Sequence, residues 1–157
     1  MKISGNYRSP QADRITVNED GTMKGVIGTM RGISQLKPFD PYREVEAATM
    51  ARQAGIQVSV KDWKTWVTAK PGSWTTVSGV DFGEKSESVR VRASSVTGGT
   101  IYIVSDSLDG EIAARIEIPT GTEEPAEFTA AMNISGQTDV YFVFDSEIEF
   151  YAWQAEK

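Results

Sequence analysis

The 157-residue sequence has no cysteine and no histidine. Without cysteine there is no disulfide, no thiolate metal site and no thiol nucleophile. Without histidine there is no Ser-His-Asp triad, no imidazole base and no histidine-bound zinc. Basic residues are outnumbered, 16 Lys and Arg against 22 Asp and Glu, giving a net charge of −6. That balance argues against polyanionic partners, so neither nucleic acid nor an anionic membrane surface is an expected partner. No apolar run approaches the roughly 18 residues of a membrane helix. The N-terminal MKISGNYRSP has one lysine and no apolar stretch, so it does not read as a signal peptide.

What remains is a chain of single-domain length, able to bury roughly 70% of its extended surface. Residues 1–40 are rich in glycine, proline and polar residues and read as a leader, either an ordered linker or a hairpin. Within it NEDG (18–21) is a turn signal between Ile15, Val17 and Met23, while Gly25, Gly28 and Gly32 interrupt any regular element.

From residue 41 to 157 the hydrophobic period is two. Val89, Val91 and Ala93 alternate with Arg90 and Arg92, and Ile112, Ala114, Ile116 and Ile118 form the inward set of the stretch 111–118. Residues 101–104 and 140–144 are apolar on both faces and read as central strands. Turn signals separate them at Gly98-Gly99, Asp109-Gly110, Gly121 and Gly136. The pattern predicts an all-β sandwich. One stretch dissents: EVEAATMARQA (44–54), followed by Gly55, has the composition of a helix.

Catalysis has only carboxylates, lysine and tyrosine to draw on. A glycosidase pair needs carboxyls about 5–5.5 Å or 6.5–9.5 Å apart. Asp106, Asp109, Glu46 and Glu149 could supply such a pair, with a hairpin turn at Asp109-Gly110 and solvated strand faces for the glutamates the simpler reading. The concentrated feature is aromatic. KDWKTW (61–66) and GSW (72–74) place three of the four tryptophans within twelve residues. Flat aromatic faces match the C–H faces of sugar rings. Trp74, followed by Thr75, Thr76 and Val77, reads as core; Trp63 and Trp66, flanked by Lys61, Asp62 and Lys64, read as exposed.

A series of short stretches now becomes informative by its order: PYREVEA (41–47), AGI (54–56), VDFG (80–83), VRAS (91–94), GGTI (98–101), DSLDG (106–110), DVYFVF (139–144) and FYAWQ (150–154). In this order and spacing the chain resembles a family 6 carbohydrate-binding module. The leader, through NYRS (6–9) and ITVNEDGT (15–22), resembles the segment that joins such modules to glycoside hydrolase family 43 enzymes acting on arabinoxylan. The resemblance implies a jelly-roll β-sandwich of two antiparallel sheets, with a strand and not a helix at 44–48. It implies a non-catalytic part of a larger secreted bacterial enzyme, partnered by its catalytic domain and by plant cell-wall xylan or arabinoxylan.

The resemblance also implies a cleft among the loops, built from two facing aromatics, an acid and an asparagine. In this sequence those positions fall on Thr68, on the loop TGTEEP (120–125), near Ser59 and on Glu149. Trp63 and Trp66 are then the stacking platform that could rebuild the cleft beside Thr68 and Glu149. A second site on a concave sheet face is also implied, and Arg90, Arg92, Arg115 and Tyr102 lie on strands whose orientation the pattern does not give. The family's structural calcium uses two glutamates and a further acid. Here those positions are Glu46, Ala48 and Tyr151, leaving Glu46 as the retained ligand. The altered cleft sets up an alternative role, a docking domain packed on the catalytic domain without binding sugar.

Overall fold

The computed structural model describes residues 13–27 and 37–157. The chain divides into two units, Met1–Leu36 and Lys37–Lys157. In the first, the expected turn forms: Val17 and Met23 make an antiparallel bridge, and Gly21 N–H donates to the Asn18 carbonyl at 3.0 Å. Gly28 and Gly32 lie outside the described residues.

The second unit holds eleven strands and, among the described residues, no helix. They are β1 (Val45–Glu46), β2 (Arg52–Ala54), β3 (Gln57–Lys61), β4 (Lys64–Ala69), β5 (Trp74–Asp81), β6 (Ser86–Ser95), β7 (Gly99–Ser105), β8 (Ile112–Ile118), β9 (Thr122–Ile134), β10 (Gln137–Phe144) and β11 (Ile148–Glu156). One sheet runs β3-β4-β11-β6-β9, with β1 also on β11; the other runs β2-β5-β10-β7-β8. Every ladder is antiparallel, and β9 pairs with β6 from Thr122 to Ile134 while its Met132 also pairs with Ala114 of β8. The long strand therefore turns the corner between the sheets. This is the expected two-sheet jelly-roll sandwich.

The helical composition of 44–54 loses to burial. Val45 and Ala47 are buried while Glu44 and Glu46 are exposed, a period of two. Val45 and Glu46 occupy the edge of β11 opposite Trp153 and Ala152. Arg52, Gln53 and Ala54 pair with Thr76, Thr75 and Trp74. Ladder hydrogen bonds and two buried apolar side chains outweigh a helix propensity worth tenths of a kcal/mol per residue. One expected inward residue also differs. Ala114, Ile116 and Ile118 are buried, but Ile112 is 43% exposed, because the β7–β8 register shifts between Ile103 and Val104.

Four aromatic rings close the sandwich. Phe142 and Phe144 come from β10 in one sheet, Phe150 and Trp153 from β11 in the other. Phe142 lies 5.2 Å from both Phe150 and Trp153, and Phe144 lies 5.8 Å from Phe150, all in tilted pairs. All four are at most 2% exposed. Two of them sit three residues apart, which simple alternation forbids. Strand β11 carries a bulge at Tyr151, between Phe150 paired to Ala93 and Ala152 paired to Arg92. The extra residue resets the parity so that Phe150 and Trp153 both point inward.

Truncation of a buried ring leaves a cavity that close packing cannot fill. Phe142→Ala is expected to destabilise the domain by about 3–5 kcal/mol, measured as a lower urea midpoint with an unchanged slope.

Candidate functional site

The residues singled out from the sequence are divided by the structure. Thr68 of β4 and Glu149 of β11 are cross-strand partners, and Trp66 lies two residues along the same face of β4. Trp66 stacks on Tyr151, with ring centroids 5.9 Å apart and planes at 24°. The Tyr151 hydroxyl donates to Glu149 Oε2 at 2.6 Å, and Ser94 Oγ donates to the same oxygen at 3.2 Å. Trp66, Thr68, Tyr151 and Glu149 thus form one cluster on the outward face of the first sheet. Trp63 is not in it. It sits at the tip of the β3–β4 hairpin, 99% exposed. Trp66 is half-buried, so of the two expected exposed tryptophans only Trp63 is free.

Beside Glu149 the loops enclose a cleft of about 290 Å³, lined by Ser94, Ser95, Thr97, Thr122 and the carboxylates of Glu123, Glu147 and Glu149. Val96 supplies the apolar part of its wall, and no aromatic or basic side chain lines it. A cleft of hydroxyls and acids offers hydrogen bonds but no flat face for a sugar ring.

The opposite sheet carries a different arrangement. Inward-facing Thr75, Phe142, Phe144, Ile101, Ile103, Ala114 and Ile116 set the parity of β5, β10, β7 and β8. The alternate residues therefore face outward. Trp74 pairs with Val143, Val143 with Tyr102, and Tyr102 with Arg115, a single row across four strands. Neighbouring strands lie about 4.8 Å apart, so the row runs about 14 Å. The Arg115 guanidinium lies 5.9 Å from the Tyr102 ring centroid. Trp74 tilts at 54° over Tyr141, centroids 5.7 Å apart. At the row's flank Arg52 bridges to Asp139 at 3.1 Å and donates to the Tyr141 hydroxyl at 3.2 Å. Trp74 is half-buried on this outer face, not in the core as its neighbours suggested.

In the sequence Tyr102 and Arg115 lie on strands whose side the pattern does not give, and 101–104 and 140–144 are apolar on both faces. The signal that identifies the row is the register, because it shows which residues of β5, β7, β8 and β10 share a face.

Of the acids named from the sequence, Asp106 and Asp109 lie in the loop between β7 and β8, Glu46 on β1 and Glu149 on β11. Glu46 Oε2 accepts from Thr65 Oγ1 at 2.8 Å and is otherwise exposed. Among the described residues no group of three or more Asp, Glu, His or Cys side chains converges to hold a metal. At the two other calcium positions Ala48 offers no side-chain oxygen and the Tyr151 hydroxyl is committed to Glu149. Of these three side chains only Glu46 brings a carboxylate, and a hard cation that takes six to eight oxygens would draw the others from backbone carbonyls and water.

The chain is similar to known proteins in sequence and in fold. Residues 46–156 match the family model of the carbohydrate binding module (family 6). An arabinoxylan arabinofuranohydrolase of Paenibacillus polymyxa is 30% identical over 94% of this chain, which spans 26% of that enzyme. A solved glycoside hydrolase family 43 arabinoxylan arabinofuranohydrolase from Bacillus subtilis, in complex with cellotetraose, superposes with a TM-score of 0.85 at 27% identity. It covers 92% of this chain and 33% of its own. A Clostridium stercorarium structure, CsCBM6-3 in complex with cellobiose, superposes with a TM-score of 0.72 at 18% identity, covering 78% of this chain and 99% of its own. The chain thus spans about a quarter to a third of the hydrolases it matches.

Burial, and then the hydrogen bond to Glu149, raise the Tyr151 pKa above its ordinary value of 10.0. The folded state therefore favours the neutral phenol. That contribution to stability is fully present below the unfolded value and is lost as pH rises through the higher folded one. Melting temperature is expected to fall above about pH 10. In Tyr151→Phe the fall should be shallower, as followed by circular dichroism.

Proposed function

Because the chain belongs to the family 6 carbohydrate-binding modules, we propose that it holds a linked glycoside hydrolase family 43 enzyme on plant cell-wall arabinoxylan or xylan. The family is a non-catalytic binding module, and its members with solved structures share this β-sandwich. The observation that carries the reading is the Trp74–Val143–Tyr102–Arg115 row: a partly exposed indole and phenol on one sheet face, ending in a cation that can donate to hydroxyls. Aromatic rings supply the apolar surface for sugar faces. Arg115, Arg52 and Asp139 supply the directional bonds that orient a polyol.

The hydrolase link is supported by coverage. The family 43 enzyme matches 92% of this chain, whereas the Clostridium stercorarium structure, itself covered almost entirely, matches 78%. The extra residues accompany the enzyme, in keeping with 1–40 as the joining segment and 41–157 as the module. Tethering acts through effective concentration: a bound module keeps the catalytic site near its polymer with no chemistry of its own. A protein with this task works outside the cell, where the polymer is.

The acidic loop cleft favours a second reading, a domain that packs on its hydrolase without holding sugar. Affinity gel electrophoresis against arabinoxylan, xylan, mixed-linkage β-glucan and arabinan separates the two. Retardation on arabinoxylan or xylan is expected for the wild-type chain, with roughly a tenfold loss of affinity in Tyr102→Ala and in Arg115→Ala. No retardation on any of the four polymers would give the docking role first place.

A further inference from the structure

The β3–β4 hairpin ends at the Lys61–Lys64 pair, so its loop is two residues, Asp62 and Trp63. Both have positive φ, 52° and 63°. That is the backbone of the primed turn that two-residue hairpins select, in which Asp-Gly is a favoured pair. Asp62 suits the first position. The second normally carries glycine, because a bulky side chain is strained there. Here it carries the largest side chain of all, 99% exposed. Folding does not explain the choice: the ring buries nothing and the backbone prefers another residue.

The surrounding strands explain how the tip stays free. The edge of β11 is divided, with β4 pairing to Ile148, Glu149 and Phe150 and β1 taking Ala152 and Trp153. Beyond Val67 the hairpin makes no ladder pair with β11, and Thr65 holds it to Glu46 of β1 through a 2.8 Å hydrogen bond, short of the tip. Its tip is ringed by exposed Lys61, Asp62 and Lys64.

From this strained, fully exposed indole among charged hydrogen-bonding neighbours, we infer that Trp63 is a second polysaccharide contact, separate from the Trp74–Arg115 row and on the other sheet. The inference rests on the sugar-binding reading above for its ligand class. Both faces of the ring are open to a pyranose, and Lys61, Asp62 and Lys64 can reach its hydroxyls. Two contacts on different sheets let one module grip two stretches of a polymer, raising avidity for long chains over short ones. Val58 and Val60, 50% and 67% exposed on the same hairpin, would instead suit a protein partner, and the test distinguishes the two.

The test uses the 157-residue chain with Trp63→Ala and Trp63→Gly. Trp63→Gly restores an Asp-Gly turn and is expected to raise the melting temperature by about 2–4 °C. Both variants should lose roughly tenfold in affinity for arabinoxylan by gel retardation. Affinity for a short xylo-oligosaccharide, measured by calorimetry, should change less than twofold, because the row on the other sheet is intact. Tyr102→Ala, in contrast, should lose both. Unchanged arabinoxylan affinity in a folded Trp63→Gly, with Tyr102→Ala impaired, overturns this inference alone and leaves the hairpin to a protein partner. A wild-type chain that binds no polymer overturns it together with the sugar-binding reading.

Discussion

The contact between Phe142 and Phe144 of one sheet and Phe150 and Trp153 of the other is the constraint on which the rest of the molecule depends. A strand has only two faces. Once these rings are committed inward, every alternate residue of β10 is committed outward, and the ladders pass that parity to β5, β7 and β8. The exposed row of Trp74, Val143, Tyr102 and Arg115 is therefore a consequence of core packing. It is rigid for the same reason, since each member stands on a strand whose opposite face is locked.

Strand β11 performs the matching service for the first sheet. It pairs with β6 on one side and shares its other edge between β4 and β1. Its bulge at Tyr151 allows Phe150 and Trp153 to face the core together and places Tyr151 beside Trp66 and Glu149 on the surface. The divided edge also releases the β3–β4 tip. One irregular strand thus sets the inner packing, the outer aromatic pair and the projecting Trp63.

The loop cleft is lined by hydroxyls and by three glutamates, Glu123, Glu147 and Glu149, with no aromatic residue among its lining. An acidic pocket without a flat apolar face is a poor seat for a neutral pyranose, whatever the fold around it. Partly exposed rings lie beside it at Trp66 and Tyr151 and on the second sheet at Trp74 and Tyr102, and the hairpin tip carries the fully exposed Trp63.

The sequence by itself determined the all-β class, the family and most inward positions, because period-two alternation and the ordered short motifs are local properties. It also marked Trp63 as exposed, since charged residues flank it on both sides. Tertiary structure decided what depends on distant neighbours. Residues 44–54 have helical composition but hold two short strands, Val45–Glu46 and Arg52–Ala54, because β11 and β5 offer backbone partners there. Trp74, in a setting that reads as core, faces outward because its ladder partners Val143 and Ala54 do. When both faces of a strand are apolar, alternation gives two equivalent parities, and only the register against strands far along the chain selects the one that meets water.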